Sequence, residues 1–202
     1  MQLDFTQLDA SESYRWLSST VTPRPIAWVS TVSAAGIPNL APFSFFQVIC
    51  DDPPTLMVNV GVHDGDRPKD TVRNVRETGE LVIHLVSRGA AETMNLTSAT
   101  LPHDESEFEL AGIATVPSLL IKPPRIADAS VAFECELAEI KPYPAEHPRQ
   151  FLIFAKVLLG HIDDAVMADE RHVDPAKLDL VGRLSGSFYV TTRDRFSMKR
   201  PP

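Results

Sequence analysis

The sequence predicts a mainly β domain, an antiparallel barrel with inserted helices. The chain of 202 residues has 17 prolines against 9 glycines. Because a proline inside a helix costs about 3 kcal/mol or more, prolines spread this widely exclude a bundle of long helices. The predicted strands also outnumber the helices and do not alternate with helices of about 10–15 residues, as a parallel sheet requires. Since no linker divides the chain, we expect one domain over residues 1–202, with its core at about 14–190.

The first part of the chain predicts a helix followed by strands. A helical pattern covers residues 11–19, and the β-branched and aromatic run at 26–32 is typical of a strand. A further strand is expected at about 39–49, interrupted by Pro42. A proline inside a strand indicates a sheet edge, a bulge or a break that faces a ligand. Clean alternation of apolar side chains at 55–60 predicts the next strand.

The middle of the chain changes from helix to strand. Asp70 is expected to cap a helix that runs to Thr78 and ends at Gly79, since glycine tolerates the left-handed conformation just past a helix. The run 81–86 is apolar on both faces except for His84. That pattern is typical of a central strand that is covered on both sides.

The second half of the chain is expected to contain long strands and short helices. Alternation in the strand at 131–140 predicts that Glu134 and Glu136 face outward. Asp174 and Pro175 indicate a helix start, because aspartate caps a helix and proline fits its first position. The remaining predicted elements are helices at 90–99 and 104–110, a strand at 150–162 and a last strand at 186–191.

Composition and charge exclude several classes of protein. The formal net charge of −8 disfavours a general nucleic-acid binder, which carries a basic surplus. No apolar run approaches the roughly 20 residues that span a membrane, and the first residues lack the basic start and apolar core of an export signal. Cys50 and Cys135 lie in apolar contexts and are expected to be buried free thiols. We therefore expect a cytoplasmic protein that binds neither nucleic acid nor a membrane.

Local motifs for common chemistries are absent from the sequence. It has no dinucleotide or P-loop glycine fingerprint, no nucleophile elbow and no Cys or His spacing that would hold zinc. His161 with Asp163 and Asp164 comes nearest to a metal-ligand cluster, and we interpret it as a solvated strand end. The sequence therefore predicts neither a metal site nor a catalytic acid–base pair.

The proline-bounded run at 24–31 is the first candidate for binding. An ordinary core strand explains its apolar residues but not an arginine fixed between Pro23 and Pro25. Prolines on both sides restrict the backbone there, so the guanidinium of Arg24 is oriented at little entropic cost.

The second candidate is the run at 39–46, which contains Pro42. Because proline has no N–H, the strand ladder is interrupted there, and polar Asn39 and Ser44 flank an aromatic cluster. A planar ligand needs such a mixture of an apolar wall and a few hydrogen-bonding groups. A bulged core strand explains the run equally well.

Two further segments have binding and structural interpretations. Lys69, Asp70 and Thr71 stand at a helix start, where free N–H groups and the helix dipole favour a phosphate. Asp70 argues against a phosphate site, because its carboxylate repels an anion and is itself expected to cap the free N–H groups. The alternative interpretation is an ordinary capped surface helix. The run 182–186 places two glycines around Arg183, which indicates either a close backbone approach or an ordinary turn.

Taken together, these segments resemble the flavin reductase-like family with the FMN-binding split-barrel fold. The family is related to flavoredoxin and to the reductase components of two-component flavin monooxygenases. The resemblance covers roughly Tyr14 to Tyr189. Its motifs are PRPIAWVST at 23–31, NLAPFSFF at 39–46, DPP at 52–54, KDT with a later Asn at 69–74, ETGE at 77–80 and VGR at 181–183.

The resemblance implies a homodimer with FMN near the subunit interface, and it assigns site residues by position. Lys69, Asp70 and Thr71 inherit the phosphate end, and Arg183 is also carried over. The residues that inherit contacts with the isoalloxazine ring and the ribityl chain are Arg24, Pro25, Ile26, Ala27, Trp28, Ser30, Thr31, Pro42, Phe43 and Ser44.

The resemblance further implies an NAD(P)H-dependent flavin reductase that passes reduced flavin or electrons to a partner such as a monooxygenase. No catalytic dyad is required, because hydride transfer is the chemistry of the cofactor. Short reductases of monooxygenase systems often carry a Gly-Asp-His element near the C-terminus, linked to nicotinamide handling, where this chain has Gly182, Arg183 and Leu184. Two alternatives stay open: an FMN-carrying electron-transfer protein of flavoredoxin type without its own pyridine-nucleotide reductase activity, and a dimeric binding module that has lost flavin.

Overall fold

The computed structural model describes residues 1–63 and 66–201, and antiparallel strands dominate it. The helices are α1 (Ala10–Thr20), α2 (Asp70–Thr78), α3 (Ala91–Leu96), α4 (Glu107–Leu110) and α5 (Pro175–Leu178). The strands are β1 (Arg24–Pro25), β2 (Ala27–Val32), β3 (Pro38–Phe43), β4 (Phe46–Asp51), β5 (Pro54–Gly61), β6 (Glu80–Leu85), β7 (Thr115–Val116), β8 (Arg125–Ile126), β9 (Val131–Tyr143), β10 (Gln150–Ile162), β11 (Val181–Arg183) and β12 (Tyr189–Thr191).

The main sheet curls into a barrel. Its strands lie in the order β3-β2-β6-β9-β10-β5-β4, so consecutive strands β3 and β4 form the two opposite edges. Only Ser44 and Phe45 separate these edge strands along the chain, which brings the two edges together. The Asn59 N–H of β5 also donates to the Phe45 carbonyl at 2.8 Å. The predicted antiparallel barrel with inserted helices is confirmed, as is the central position of β6.

The barrel interior holds the main hydrophobic core. Alternate residues of the strands point into it, among them Val58, Ile83 and Ile153, which are fully buried. Helix α2 packs against β2, β3 and β6 and adds Val72 and Val75 to the same core. Burying each such side chain contributes about 1.5–3 kcal/mol. The apolar face of α2 therefore fixes the helix, and with it the polar residues at its start.

A small second sheet, β1-β11-β12, lies beside the barrel. Arg24 and Pro25 of β1 pair with Arg183 and Gly182 of β11. A Cβ atom at Gly182 would lie 3.1 Å from the Cβ of Pro23, a distance tighter than ordinary contact. The chain therefore approaches Gly182 closely, while Gly186 has a φ of +55° in the turn that follows, so both interpretations of this segment describe part of it.

Several expectations about individual elements need correction. The strand expected at 39–49 is two strands, since the chain turns at Ser44 and Phe45. The helices expected at 90–99 and 104–110 are shorter: a 3-10 turn at 88–90 leads into α3, and α4 begins only at Glu107. The last strand, β12, is confined to 189–191. The turn at Ser44 and Phe45 interrupts the expected strand, whereas the other differences fall at element boundaries, where local patterns specify least.

Glu134 was expected to face outward, and that prediction is wrong. Its side chain is fully buried because the loop after β7 covers this face of β9. The carboxylate accepts the N–H groups of Leu119 at 2.8 Å and Leu120 at 2.7 Å, and lies 2.7 Å from His161 Nε2. The buried charge is therefore fully hydrogen-bonded, which offsets its desolvation.

Both cysteines were expected to be buried free thiols, and the structure bears this out for Cys135 but not for the burial of Cys50. Cys50 is half-buried, Cys135 is buried and both are free thiols. Burial raises the pKa of the Cys135 thiol to about 12, so it is unreactive at neutral pH. Across the described ranges, no helix has the length and apolar character needed to cross a membrane.

Candidate functional site

A cleft runs along β3 from the start of α2 to the β11–β12 hairpin. The part beside the β11–β12 hairpin, called the apolar part after the Ile26, Phe43 and Met94 side chains in its wall, has a volume of about 280 Å³ and reaches from Met94 to Arg183. More of the surface that it exposes is polar than apolar. The polar part of the cleft, about 100 Å³, ends at Lys69. Their combined volume lies inside the range for small-molecule sites, about 300–1,000 Å³, near its lower end. Both parts are lined by Pro42, Phe43 and Ser98.

The edge position of β3 explains why the cleft forms there. Pro42 lies opposite Trp28 of β2 and has no N–H to donate to a further strand, as expected of a proline at a sheet edge. Phe43 is buried and places one side of its ring in the core. The sequence prediction that this run forms an apolar wall with flanking polar groups is consistent with the cleft, since Ser44 stands at its rim.

The polar end of the cleft is formed by the first residues of α2. Asp70 was expected to cap this helix, and that prediction is wrong: Lys69 is the cap residue, and its side chain accepts none of the free N–H groups. Asp70 instead pairs with Arg73 at 2.7 Å. The helix start therefore offers free N–H groups and a positive dipole end to the cleft. Desolvation lowers the pKa of Lys69, whose ammonium group lies 5.9 Å from the centre of the Phe43 ring.

Two buried amide–hydroxyl pairs fix the polar end from behind. Asn39 Nδ2 donates to Thr71 Oγ1 at 3.2 Å, which leaves the Thr71 hydroxyl proton available to a ligand. Asn74 Nδ2 donates to Thr31 Oγ1 at 3.1 Å. Thr31 is fully buried, so it supports α2 rather than lining the cleft.

Residues 97–100, with the sequence TSAT, also line the polar part of the cleft, and sequence reasoning missed them. Trp28 Nε1 donates to Thr97 Oγ1 at 2.8 Å, and Thr97 Oγ1 donates to the Met94 carbonyl at 2.8 Å. These bonds hold the segment against β2. A signal was present, because three hydroxyl side chains are grouped in a stretch without Lys or Arg.

Glu107 is the second residue that sequence reasoning missed. It is buried, lines the polar part of the cleft and accepts the Leu40 N–H at 2.9 Å. Burial is the main cause that raises the pKa of this carboxyl, and the charge of Asp70 adds to it. The polar end therefore holds acidic groups as well as Lys69.

Arg24 is buried beside the cleft, and its guanidinium forms hydrogen bonds with other groups of the protein. Its guanidinium donates to the carbonyls of Ser18, Val21 and Leu184 and to Ser44 Oγ. It thereby joins the end of α1, the turn after β3 and the β11–β12 hairpin. The orientation expected from the flanking prolines is realised in these bonds, while a direct contact of Arg24 with a ligand stays a prediction.

The other residues predicted on β1 and β2 lie at different depths. Ile26 lines the apolar part of the cleft, Pro25 is exposed on β1 and Ala27 points into the barrel core. Trp28 is buried behind the 97–100 segment. Ser30 is fully buried, and its hydroxyl has no hydrogen-bond partner among the described residues. Of this run, the structure brings only Ile26 to the described part of the cleft wall.

Arg183 closes the apolar end of the cleft. It donates to Tyr189 Oη and to the Gly186 carbonyl, and its guanidinium carbon lies 4.6 Å from the centre of the Tyr189 ring. These contacts fix a positive charge at the cleft boundary. The predicted residues that the structure brings together along the cleft are Ile26, Pro42, Phe43, Ser44, Lys69, Asp70, Thr71 and Arg183.

The donor set of the cleft suits a flat ligand that ends in a phosphate. The apolar part has the largely buried side chains of Ile26, Phe43 and Met94 in its wall together with polar groups, and the polar part offers an ammonium group, hydroxyls and the helix start. No group of three or more His, Cys, Asp or Glu side chains among residues 1–63 and 66–201 is arranged to hold a metal.

Sequence comparison matches this chain to one family over most of its length. The family described as flavin reductase like domain matches residues 18–176. An uncharacterized protein of Aquifex aeolicus is 40% identical over 190 residues, which cover 94% of this chain and 95% of that protein.

Solved structures share both the architecture and its full extent. Nitrilotriacetate monooxygenase component B from Bacillus cereus is 29% identical, with a TM-score of 0.94 and 98% of both chains covered. The 2-nitrobenzoate 2-nitroreductase NbaA from Pseudomonas fluorescens is 30% identical, with a TM-score of 0.89 over 100% of this chain and 96% of the other. A structure from Shewanella frigidimarina, named as a flavin reductase with a split barrel domain, is 19% identical, with a TM-score of 0.83 and 100% of both chains covered. That last likeness shows the fold alone, and it confirms the split barrel.

Proposed function

Because the chain belongs to the flavin reductase like family, we propose that its cleft binds FMN and that the protein is an NAD(P)H-dependent flavin reductase. The observation that carries this proposal is the continuity of the cleft. A groove with Pro42 and Phe43 in its wall leads to the ammonium group of Lys69 and the uncapped start of α2. A flavin ring and its phosphate need these two environments side by side.

The residues present fit FMN, and each has a defined role. Lys69, Thr71 and the first N–H groups of α2 would hold the phosphate, with the hydroxyls of residues 97–100 around it. Ile26, Phe43 and Met94 would enclose the ring in an apolar wall. Arg183 would place a positive charge near the ring, where negative charge is favoured by such a neighbour.

Bound FMN would supply the redox chemistry, accepting a hydride from a pyridine nucleotide and passing electrons onward. The protein's own contribution is positional. Arg24 holds together the elements around the apolar end, and the Trp28–Thr97 bond holds the segment over the polar end. Both sets of hydrogen bonds restrict the conformations of the free site, so less conformational entropy is lost when a ligand binds.

We further propose that the protein acts as a homodimer in the cytoplasm and delivers reduced flavin or electrons to a partner. The similarity to nitrilotriacetate monooxygenase component B supports a monooxygenase as that partner. Edge strand β4 exposes Val48 and Ile49 at 66% and 47%, and an exposed apolar sheet edge is the kind of surface that a second copy covers. Two free thiols agree with a reducing compartment. Sedimentation of the purified protein measures the dimer directly.

Anaerobic reduction tests the reductase assignment. Protein loaded with FMN is mixed with NADH or with NADPH in the absence of oxygen, and the flavin absorption near about 450 nm is followed. We expect one of the two nucleotides to bleach the flavin on a catalytic timescale. If the flavin binds but neither nucleotide reduces it, the reductase assignment is wrong and the flavoredoxin-type carrier takes its place. If flavin does not bind at all, the protein is a binding module without flavin.

A further inference from the structure

A cavity of about 400 Å³ lies beside Trp28, apart from the cleft along β3. Its walls include residues of the 3-10 turn at 88–90, of the segment 111–114 and of the segment 126–130. We call it the Trp28 cavity. None of its described lining residues also lines either part of the cleft, and its volume lies within the range of small-molecule sites. The protein therefore has a second space of ligand size outside the proposed FMN site.

Small residues leave the Trp28 cavity open between larger apolar side chains. The larger side chains in its wall are those of Trp28, Leu85, Ile113 and Ile126, of which Trp28 and Ile126 are buried. The glycines and alanines of the wall are Gly89, Ala90, Ala111, Gly112, Ala114 and Ala129. Because benzene already binds in an apolar protein cavity of about 150 Å³, a ligand with a single ring fits this space.

Polar side chains without a partner line the same cavity. They are those of Ser87, Thr93, Asp128 and Ser130, and none of them forms a side-chain hydrogen bond with another residue in the ranges 1–63 and 66–201. Asp128 is exposed and carries the one charge among the described lining residues. Arg88, which follows Ser87 in the chain, pairs with Glu92 at 2.9 Å instead. The cavity therefore offers a free carboxylate and hydroxyl groups beside apolar walls.

Backbone hydrogen bonds hold the walls of the Trp28 cavity in place. The Ala127 N–H donates to the Ala114 carbonyl at 2.9 Å, which joins the segment 126–130 to the segment 111–114. The Asp163 N–H donates to the Ser130 carbonyl at 2.9 Å. Since the walls are fixed before a ligand binds, little conformational entropy is lost on binding.

We propose that the Trp28 cavity binds a small organic cation, a primary ammonium group attached to a single aromatic ring. The ring contacts Trp28 and Ile126, and the ammonium group donates to the Asp128 carboxylate and to the hydroxyl oxygens of the wall. An ammonium group has three donors and no acceptor, which matches a carboxylate among hydroxyl groups, whereas Asp128 repels an anionic ligand. The net charge of −8 also attracts a cation to the protein.

Trp28 links this cavity to the cleft. Its Nε1 donates to Thr97 Oγ1 at 2.8 Å, and Thr97 lines the polar part of the cleft. A ligand that packs on Trp28 restricts this side chain and, through the hydrogen bond, residues 97–100, so it should tighten FMN binding. FMN should then tighten the binding of the cation by the same factor. This consequence rests on the proposed function, whereas the binding of the cation does not.

Calorimetric titration of the full chain with benzylamine at neutral pH tests this proposal. Benzyl alcohol and benzoate, which carry a neutral and an anionic group on the same ring, are the control ligands. The variants are Asp128→Asn, which removes the charge, and Ala129→Leu, which fills part of the cavity. Asp104→Asn and Ala127→Leu make the same changes at exposed positions outside the cavity and serve as matched controls.

We expect the wild type to bind one benzylamine per chain with a dissociation constant of about 1 mM or lower. Benzyl alcohol and benzoate should bind at least about tenfold more weakly, because neither pairs its polar group with Asp128 as a cation does. Asp128→Asn and Ala129→Leu should each lose about tenfold or more in benzylamine affinity, and the matched controls less than about threefold. The inference is overturned if benzylamine shows no saturable binding to the wild type, or if the variants and their controls behave alike.

Fluorescence locates the ligand and measures the link to the cleft. Trp16→Phe leaves Trp28 as the single tryptophan of the chain, and its emission should change as benzylamine binds; unchanged emission would overturn the inference. Saturating benzylamine should raise FMN affinity about threefold or more in the wild type but not in Ala129→Leu. If benzylamine binds and FMN affinity stays the same, the link through Trp28 is wrong and the cation site stands. If benzylamine binds and FMN does not, the proposed function is overturned and the cation site stands.

Discussion

At the scale of single residues, the proposed phosphate site depends on Lys69 and Thr71. Burial removes part of the hydration of the Lys69 ammonium group and thereby lowers its pKa. A bound phosphate would replace the lost hydration with hydrogen bonds and an opposite charge. Thr71 is fixed because its oxygen accepts the Asn39 amide, and its proton is left to donate. That a phosphate binds here stays a prediction from the sequence, in which a basic and a hydroxyl residue stand at a helix start.

Replacing both residues should weaken FMN binding without changing the assembly. In a Lys69→Ala, Thr71→Ala variant, the loss of charge-assisted hydrogen bonds of about 1.5–3 kcal/mol should lower FMN affinity by about 10- to 100-fold. Fluorescence titration measures the affinity, and sedimentation compares the assembly with the wild type. Lys141→Ala, which replaces an exposed lysine on β9, is the matched control. Unchanged affinity in the double variant would contradict the phosphate assignment.

Glu107 should make FMN affinity depend on pH. Burial raises the pKa of this carboxyl above 4.5, so the group is neutral in acid and becomes an anion as pH rises. Once ionised, it opposes a phosphate held by Lys69 at the same end of the cleft, where Asp70 and His63 are further ionisable neighbours. FMN affinity relative to a Glu107→Gln variant should therefore fall as pH rises through that pKa.

The measurement is an FMN titration at several pH values between about 5 and 8 for both proteins. The second ionisation of the phosphate, near about pH 6, affects both equally, so their difference isolates Glu107. The Glu107→Gln variant should bind FMN more tightly than the wild type at neutral pH. Two parallel pH profiles would show that the carboxyl does not act on the site.

At the scale of elements, the local sequence pattern predicted the positions of several strands and of one helix cap. Strand β6 falls where the run that is apolar on both faces predicted it, β10 lies where a strand was expected, and Asp174 caps α5 as the Asp-Pro pair predicted. Glu134 was misplaced, because alternation assigns a residue to a face but cannot show that the chain later covers that face. Glu107 and residues 97–100 were missed for a similar reason: α3 and α4 bring them to β3 only through tertiary packing.

The hydrogen bond between Trp28 and Thr97 should contribute both to the stability of the protein and to its FMN affinity. Trp28→Phe removes the N–H that Thr97 accepts at 2.8 Å and keeps an aromatic ring in the core. We expect a loss of about 1 kcal/mol in the free energy of unfolding and a severalfold loss in FMN affinity, as residues 97–100 become less fixed. Urea denaturation and flavin titration give the two quantities. Trp16→Phe on α1 is the control of the same type, and equal effects of the two variants on FMN affinity would contradict this role for Trp28.

At the scale of the whole molecule, the barrel carries both the site and a pH-dependent part of the stability. His84 is fully buried in the central strand, with Nδ1 bonded to the Trp28 carbonyl at 2.9 Å and Nε2 accepting the Ile126 N–H at 3.0 Å. Mainly through desolvation, its pKa is lowered from 6.5 to about 4. The unfolded chain therefore binds more protons than the native one between these pH values, so stability is lost as pH falls through that window.

The size of this effect follows from the pKa difference. A shift from 6.5 to about 4 corresponds to a loss on the order of 3 kcal/mol when pH falls from neutral to about 4. In His84→Gln, which keeps a donor and an acceptor but does not titrate, the decline should be smaller. Free energies of unfolding at about pH 7 and about pH 4.5 measure it, with the exposed His103→Gln as control. The same decline in His84→Gln as in the wild type would contradict the assignment.

The central claim is that the cleft along β3 binds FMN, and equilibrium dialysis of the purified full chain against FMN tests it most directly. The account predicts saturable uptake of one FMN for each chain, with flavin absorption bands near about 370 and about 450 nm in the protein compartment. It also predicts that uptake falls in the Lys69→Ala, Thr71→Ala variant. Equal FMN concentrations on both sides of the membrane, at every FMN concentration up to the millimolar range, would contradict it.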